Sequence, residues 1–207
     1  MKIPQLLCGL LVYVGVSPVY ADVHLPALFA DNMVLQRETP IPIWGKADPG
    51  EKVTITLDGD QATTTAAADG RWQVALRPHA AGGPYALTVS GTMTDKNTLT
   101  CRNVLVGDVW LCGGQSNMEF TLKRASNAAE AIAASADPDL RLFKVRTAKP
   151  SAPADDVAGS WNAAGPDTTG RFSAIGYFFG HAIRTAEHVP IGLISSNVGG
   201  TPAQSWT

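Results

Sequence analysis

Residues that build metal sites are scarce in this chain. It has three cysteines and four histidines in 207 residues, with no C-x-x-C pair and no histidine-rich cluster, which argues against a structural zinc site. Charge of either sign is also sparse. The net charge is −2 and no basic block occurs, so nucleic-acid binding is not indicated as the main task. Long apolar runs are missing as well. The run Leu6 to Val16 is short for a membrane span, so no spanning helix is expected. What is present is ordinary globular material: 45% hydrophobic residues and enough glycine and proline for many turns, in a chain long enough for one large domain or two small ones.

Lys2, the apolar run and the small-residue pattern Val19-Tyr20-Ala21 read as a secretory signal peptide over residues 1–21. An uncleaved N-terminal anchor is the competing reading. Cleavage after Ala21 would send the mature chain to the periplasm or outside the cell. Cys8 would leave with the leader, so Cys101 and Cys112 remain. They flank one predicted strand, too far apart for a disulfide at about 3.3 Å per residue unless the chain turns back. Cys112 reads as a small buried hydrophobe.

Residues 22–105 show short strands between turn signals. Val53, Ile55 and Leu57 alternate, Asp58-Gly59-Asp60 suits a hairpin, and Trp72, Val74 and Leu76 alternate again. Ile41 to Gly45 is a strand with an edge-type proline. The pattern predicts a small antiparallel sandwich, jelly-roll or Ig-like, and nothing in it looks chemical. His24 and His79 read as loop histidines beside prolines.

From residue 106 to 207 strands alternate with helices, the signature of an α/β layer. Ser126 is expected to cap a helix through Ala133, Leu140 to Val145 to be a strand, and Lys149 to Asp167 to be a surface loop with Trp161 packed under it. Ser173 caps an amphipathic helix to about Glu187, with Ile175, Phe178, Phe179, Ala182 and Ile183 as its buried stripe. His181 and His188 on this helix lack a third ligand and read as surface residues. Three strands with helices are an incomplete layer, since a parallel sheet expects helices on both faces; the chain reads as truncated within this domain.

Two strands of the layer end in glycine pairs. Val104 to Cys112 stops at Gly113-Gly114 and is followed by Gln115-Ser116-Asn117; Ile191 to Asn197 is followed by Gly199-Gly200. Ligands in open α/β sheets sit beyond the carboxyl ends of strands, so both turns can line one crevice. A serine on such a turn, at the free N–H groups of a helix start, is placed for acyl transfer. The plainer reading makes Ser116 a helix N-cap.

With both turns in view, the chain resembles the N-terminal part of a sialate O-acetylesterase of the SGNH-hydrolase superfamily. The resemblance rests on Leu25 to Arg37, on Trp110 to Glu119 around Gly114-Gln115-Ser116-Asn117-Met118, on Arg171 to Gly180, and on Pro190 to Trp206. It implies a flavodoxin-like, three-layer α/β/α domain, incomplete here, behind the β domain. It also implies Ser116 as nucleophile, and an oxyanion hole from the N–H of Ser116 and of Gly200, with Gly199 the near alternative. Gln115 and Asn117 belong to the motif without a readable role. The substrate implied is an O-acetylated sugar or glycan such as a sialic acid, with no cofactor and no metal. The family's oxyanion asparagine block and its Asp-x-x-His segment have no match, so the chain by itself is expected to be inactive or nearly so. A polysaccharide deacetylase of the acetylxylan type and a non-catalytic glycan-binding module are the alternatives.

Overall fold

The structure, a computed structural model, describes residues 22–92, 98–148, 154–202 and 204. The expected leader at 1–21, and Ala203 and Ser205 to Thr207, lie outside the described residues.

The first half is made of strands: β1 (Val34–Gln36), β2 (Ile41–Lys46), β3 (Lys52–Leu57), β4 (Asp60–Thr65), β5 (Arg71–Leu76) and β6 (Gly82–Gly91). The β3–β4 hairpin closes through Asp58 and Gly59, both at positive φ (47° and 77°), the geometry that two-residue hairpin turns require. Period-two alternation then places Val53, Ile55 and Leu57 on one side, all fully buried. Strands β2 and β5 form a separate two-stranded antiparallel sheet. Their inward Ile41, Ile43, Trp72 and Leu76 share one apolar cluster with Val53, Ile55, Leu57, Leu87 and Val89.

Strand β7 (Thr98–Gly114) serves both halves. It pairs antiparallel with β6 up to Val106, parallel with β1 at Leu105–Gly107, and parallel with β10 (Ile191–Asn197) from Asp108 onward. The 105/106 division therefore falls inside a continuous strand. Strands β8 (Asp137–Lys144) and β9 (Trp161–Ala164) complete an eight-stranded mixed sheet: β1 pairs with β7, and the other seven run β4-β3-β6-β7-β10-β8-β9. The helices are α1 (Ser116–Glu119), α2 (Ala128–Ala133), α3 (Pro166–Thr169) and α4 (Ala174–Glu187), with a 3-10 turn at Leu122–Arg124.

Several expectations need correction. The stretch read as a loop over 149–167 contains β9 and the start of α3, because the edge of β8 offers it backbone partners. Trp161 is buried there, and its Nε1 donates to the Leu28 carbonyl at 2.9 Å. Asn127, not Ser126, precedes α2, and it makes no side-chain cap bond. Ser173 does cap α4, its Oγ accepting from the Gly176 N–H at 3.1 Å. The buried face of α4 is not the predicted one, however. Ala174, Gly176, Tyr177 and Gly180 are buried, while Ile175, Phe178 and Phe179 are exposed. Small residues face the sheet because α4 lies close upon it: a Cβ on Gly180 would stand 2.6 Å from Leu193 Cδ1, and one on Gly176 3.1 Å from Cys112 Sγ. Of the predicted stripe only Ile183 reaches the core, partly buried.

The layer was expected to be incomplete, and among the described residues helices do not cover both sheet faces. The face of β8, β9 and β10 away from α4 is covered by the entry segment. Phe143 and Trp161 join the cluster that holds Phe29 and Met33, and Ile194 packs against it. Further along β7, Leu111 on that face is 71% exposed.

Two polar groups tie the halves together. Asp108, the one charge in an apolar run, takes a bidentate bond from Arg37 at 2.8 and 3.2 Å, which also raises the Arg37 pKa. Arg141 is buried and donates to the Pro138 carbonyl and to the side-chain oxygens of Asn32 (3.2 Å) and Asn103 (3.3 Å), meeting the demand that a buried charge be hydrogen-bonded. Cys101 and Cys112 are both free and buried, and burial pushes the Cys101 thiol up to about 11.

Candidate active site

Parallel pairing of β7 and β10 brings the two glycine turns together. The register sets Ser195 against Cys112 and Asn197 against Gly114, so both strands end at one level. Val198 N–H then donates to the Gly114 carbonyl at 3.1 Å, closing the gap between the turns. Gly114 leaves β7 at φ +136°, a conformation that L side chains rarely adopt, and α1 starts two residues later.

Ser116 is the first residue of α1 and is exposed; Gln115 holds the cap position, and no side chain caps the helix. The plain cap role for Ser116 is therefore not what its hydroxyl does here. A residue at the start of a helix has an N–H with no partner within the helix. None of the four histidines hydrogen-bonds Ser116. His24 bridges by its backbone to Lys46, His79 lies 3.6 Å from Asp60, His181 stacks on Tyr177, and His188 caps the far end of α4.

The second turn lies against the first. A Cβ placed on Gly199 would stand 3.6 Å from the Ser116 Cα and would collide with Glu119. The Gly199 N–H is already engaged, donating to Glu119 Oε2 at 2.8 Å. Gly200, at φ +78°, faces open space, and its N–H has no hydrogen-bond partner among the described residues. Thr201 Oγ1 donates to the Val198 carbonyl at 2.7 Å and closes the turn. Glu119, the last residue of the Trp110 to Glu119 stretch, thus links the two turns, a contact that its place in the sequence does not announce.

The end of α1 is fixed from behind. Phe120 N–H donates to the Ser116 carbonyl at 3.0 Å, Ala174 N–H donates to the Phe120 carbonyl at 2.8 Å, and Ser173 Oγ lies 3.3 Å from Met118 Sδ. Asn117 is exposed on α1 and makes no side-chain bond among the described residues. Gln115 is likewise exposed. Among the described residues no group of three His, Cys, Asp or Glu side chains is arranged to hold a metal ion, and no helix is long and apolar enough to cross a membrane.

The chain is similar to known proteins in sequence and in fold. A sialate O-acetylesterase of Rattus norvegicus is 36% identical over 199 residues, spanning 87% of this chain and 37% of that protein. The Homo sapiens sialate O-acetylesterase is 34% identical over 194 residues, again spanning 37% of its length. A solved carbohydrate acetylesterase structure from Xanthomonas citri superposes with a TM-score of 0.84 at 46% identity, over 89% of this chain and 42% of that one. No protein-family model matches the chain. The chain spans a little over a third of the length of the curated relatives that it matches.

Proposed function

The chain is a relative of the sialate O-acetylesterases over most of its length, and from that premise we propose that it carries the nucleophile and half of the oxyanion hole of a carbohydrate acetyl-ester hydrolase. Ser116 Oγ attacks the acetyl carbonyl. The bond to the sugar oxygen breaks as the tetrahedral intermediate collapses, the serine proton passing by way of a general base to that oxygen, and acetyl stays on Ser116 for water to remove. The Ser116 and Gly200 N–H groups receive the oxyanion. Gly200 is preferred to Gly199 because the Gly199 N–H is already donated to Glu119. The observation that carries the reading is that the second turn lies against the first, so that a Cβ placed on Gly199 would stand 3.6 Å from the Ser116 Cα.

We read the layer around β7, β10, β8 and α4 as part of an SGNH-type α/β/α domain, residues 22–105 as the β-sandwich before it, and 1–21 as an export signal. Acetylated sialic acid is the substrate that the relatives' names suggest; acetylated plant polysaccharide is the second candidate. A serine hydroxyl without a base is a weak nucleophile near neutral pH, and no imidazole reaches Ser116 here. Purified 22–207 is therefore expected to hydrolyse 4-nitrophenyl acetate no faster than its Ser116→Ala variant. The decisive experiment grafts residues 22–202 in place of the matching segment of the Xanthomonas citri acetylesterase. In that chimera Ser116→Ala should lower kcat by about 10⁴-fold or more with unchanged melting. Retained hydrolysis would remove Ser116 from the chemistry.

A further inference from the structure

The outward face of the β2–β5 sheet lines a cavity of about 450 Å³ that shares no residue with α1 or the Gly199–Gly200 turn. Its floor follows from strand alternation. Ile41, Ile43 and Gly45 point inward, so Trp44 and Lys46 point out. Antiparallel register sets Trp44 beside Gln73 and Lys46 beside Arg71.

Two walls rise from this floor. One is His24 and Pro26, with His24 joined to Lys46 by a pair of backbone hydrogen bonds at 2.8 and 2.9 Å. The other is the segment before β9. Asp155 accepts from Lys46 Nζ at 2.9 Å and from an Arg71 guanidinium nitrogen at 2.7 Å. Asp156 accepts from the Ala27 N–H at 3.0 and 3.2 Å.

The chemistry of this lining is selective. Trp44 is 38% exposed, and its ring is fixed by edge-to-face packing on Phe29 at 4.6 Å. Lys46 and Arg71 are balanced by Asp155 and Asp156, so the cavity has no net charge to favour an ion. Its side chains supply both donors and acceptors at close spacing around one exposed indole. Trp72, almost fully buried and also lining the cavity, has an Nε1–H with no acceptor among the described residues, an unmet demand of a kind rare in folded proteins. Gly45 lies over that indole: a Cβ there would stand 2.7 Å from the Trp72 ring.

An aromatic platform ringed by charge-balanced donors and acceptors matches a neutral pyranose, which offers an apolar C–H face and a rim of hydroxyls. We propose that this cavity binds a neutral pyranoside unit of an oligosaccharide, with Trp44 stacking on the ring and Gln73, Lys46 and Asp155 bonding its hydroxyls. It would hold a glycan chain on the protein at a place separate from Ser116, and it stands whether or not the acyl-transfer reading does.

The test is calorimetric titration of the purified chain with unacetylated xylo-, cello-, malto- and galacto-tetraose, alongside indole N–H resonances in a ¹⁵N spectrum. At least one tetraose should bind saturably and shift the Trp44 and Trp72 signals. Trp44→Ala should weaken that binding at least about tenfold, and Gln73→Ala about threefold to tenfold. Gln73 is exposed on β5, so its variant keeps the test valid if loss of Trp44 disturbs Phe29. No binding of any tetraose at 10 mM (roughly a −2.7 kcal/mol limit) would overturn the proposal. So would affinity untouched by both variants, or tighter Trp44-dependent binding of N-acetylneuraminic acid than of every neutral sugar.

Discussion

The two halves of this molecule use their apolar residues differently. In the β-rich half, the bulky side chains of β3, β6 and the inner face of β2 close on one another, and Ile43, Val53, Ile55 and Leu87 lose all contact with water. Among the described residues its exposed large apolar side chains are Leu99 and Trp44, the latter set in the cavity over β2 and β5. The strand-and-helix half also buries bulky residues, among them Leu140, Phe143, Phe172 and Leu193, but it seats its long helix α4 through small ones. Gly176 and Gly180 meet the sheet, while Trp110, Leu111, Ile175, Phe178 and Phe179 remain in solvent, with Trp110 set edge-to-face on Phe179 at 5.0 Å. A saturated core explains how the first half holds its shape through side-chain volume. The second adds to its own bulky cluster a close approach of α4 to the sheet, which Gly176 and Gly180 permit.

That contrast is most exposed to breakage where the halves share a strand. Gly107 sits between the β6-paired and β10-paired parts of β7, and a Cβ there would overlap the Pro190 carbonyl. Backbone cannot swing aside as a side chain can, so Gly107→Ala should cost about 3 kcal/mol or more, read as a lowered urea midpoint. If close approach governs the second half, Gly180→Val should come next. Leu193 is fully buried and has nowhere to turn, and a loss of about 1–3 kcal/mol is expected from thermal melts. A melt within 0.5 kcal/mol of the parent would show that α4 does not depend on that contact.

The first half also holds a titrating latch. Asp60 accepts from the Arg77 N–H and from its guanidinium, both at 2.8 Å, and the backbone bond is the main cause of its lowered pKa. A carboxyl that ionises more readily folded than unfolded stabilises above the ordinary Asp value of about 4, and the benefit disappears as pH falls through the folded-state value. Asp60→Asn should therefore melt lower than the parent at pH 7, with the gap closing in acid. A gap constant from pH 7 to pH 3 would mean that the bond does not depend on charge.

Much of this was legible in the residues. The Ser173 cap, the span of α4, the third parallel strand at Ile191–Asn197 and the two glycine turns all follow from local rules, and the Ser116 stretch follows from strand, glycine pair and helix start. What was not legible is what each element packs against. Periodicity located an apolar stripe on α4 but not its partner, and the sheet selected the opposite, smaller face. Strand β9 arises from the open edge of β8, which a stretch rich in Pro, Ala and Gly does not announce. The reach of Glu119 to Gly199, and of Arg37 to Asp108, joins residues far apart in sequence that only β7 brings near.

The smallest effect expected is the sharpest test of the comparison. Phe178 has the size of a core residue and stands at helical spacing with Ile175, so a sequence reading makes Phe178→Lys ruinous. Its ring is instead partly in water, meeting Tyr177 at 5.4 Å while Gly180 makes the close contact with the sheet. Exposed substitutions away from caps and buried pairs usually stay within about 0.5 kcal/mol, and a lysine on a helix retains good propensity. Phe178→Lys in the 207-residue chain should accordingly melt with the parent. A loss of 2 kcal/mol or more would place Phe178 in the core and return the helix to the orientation that its periodicity suggests.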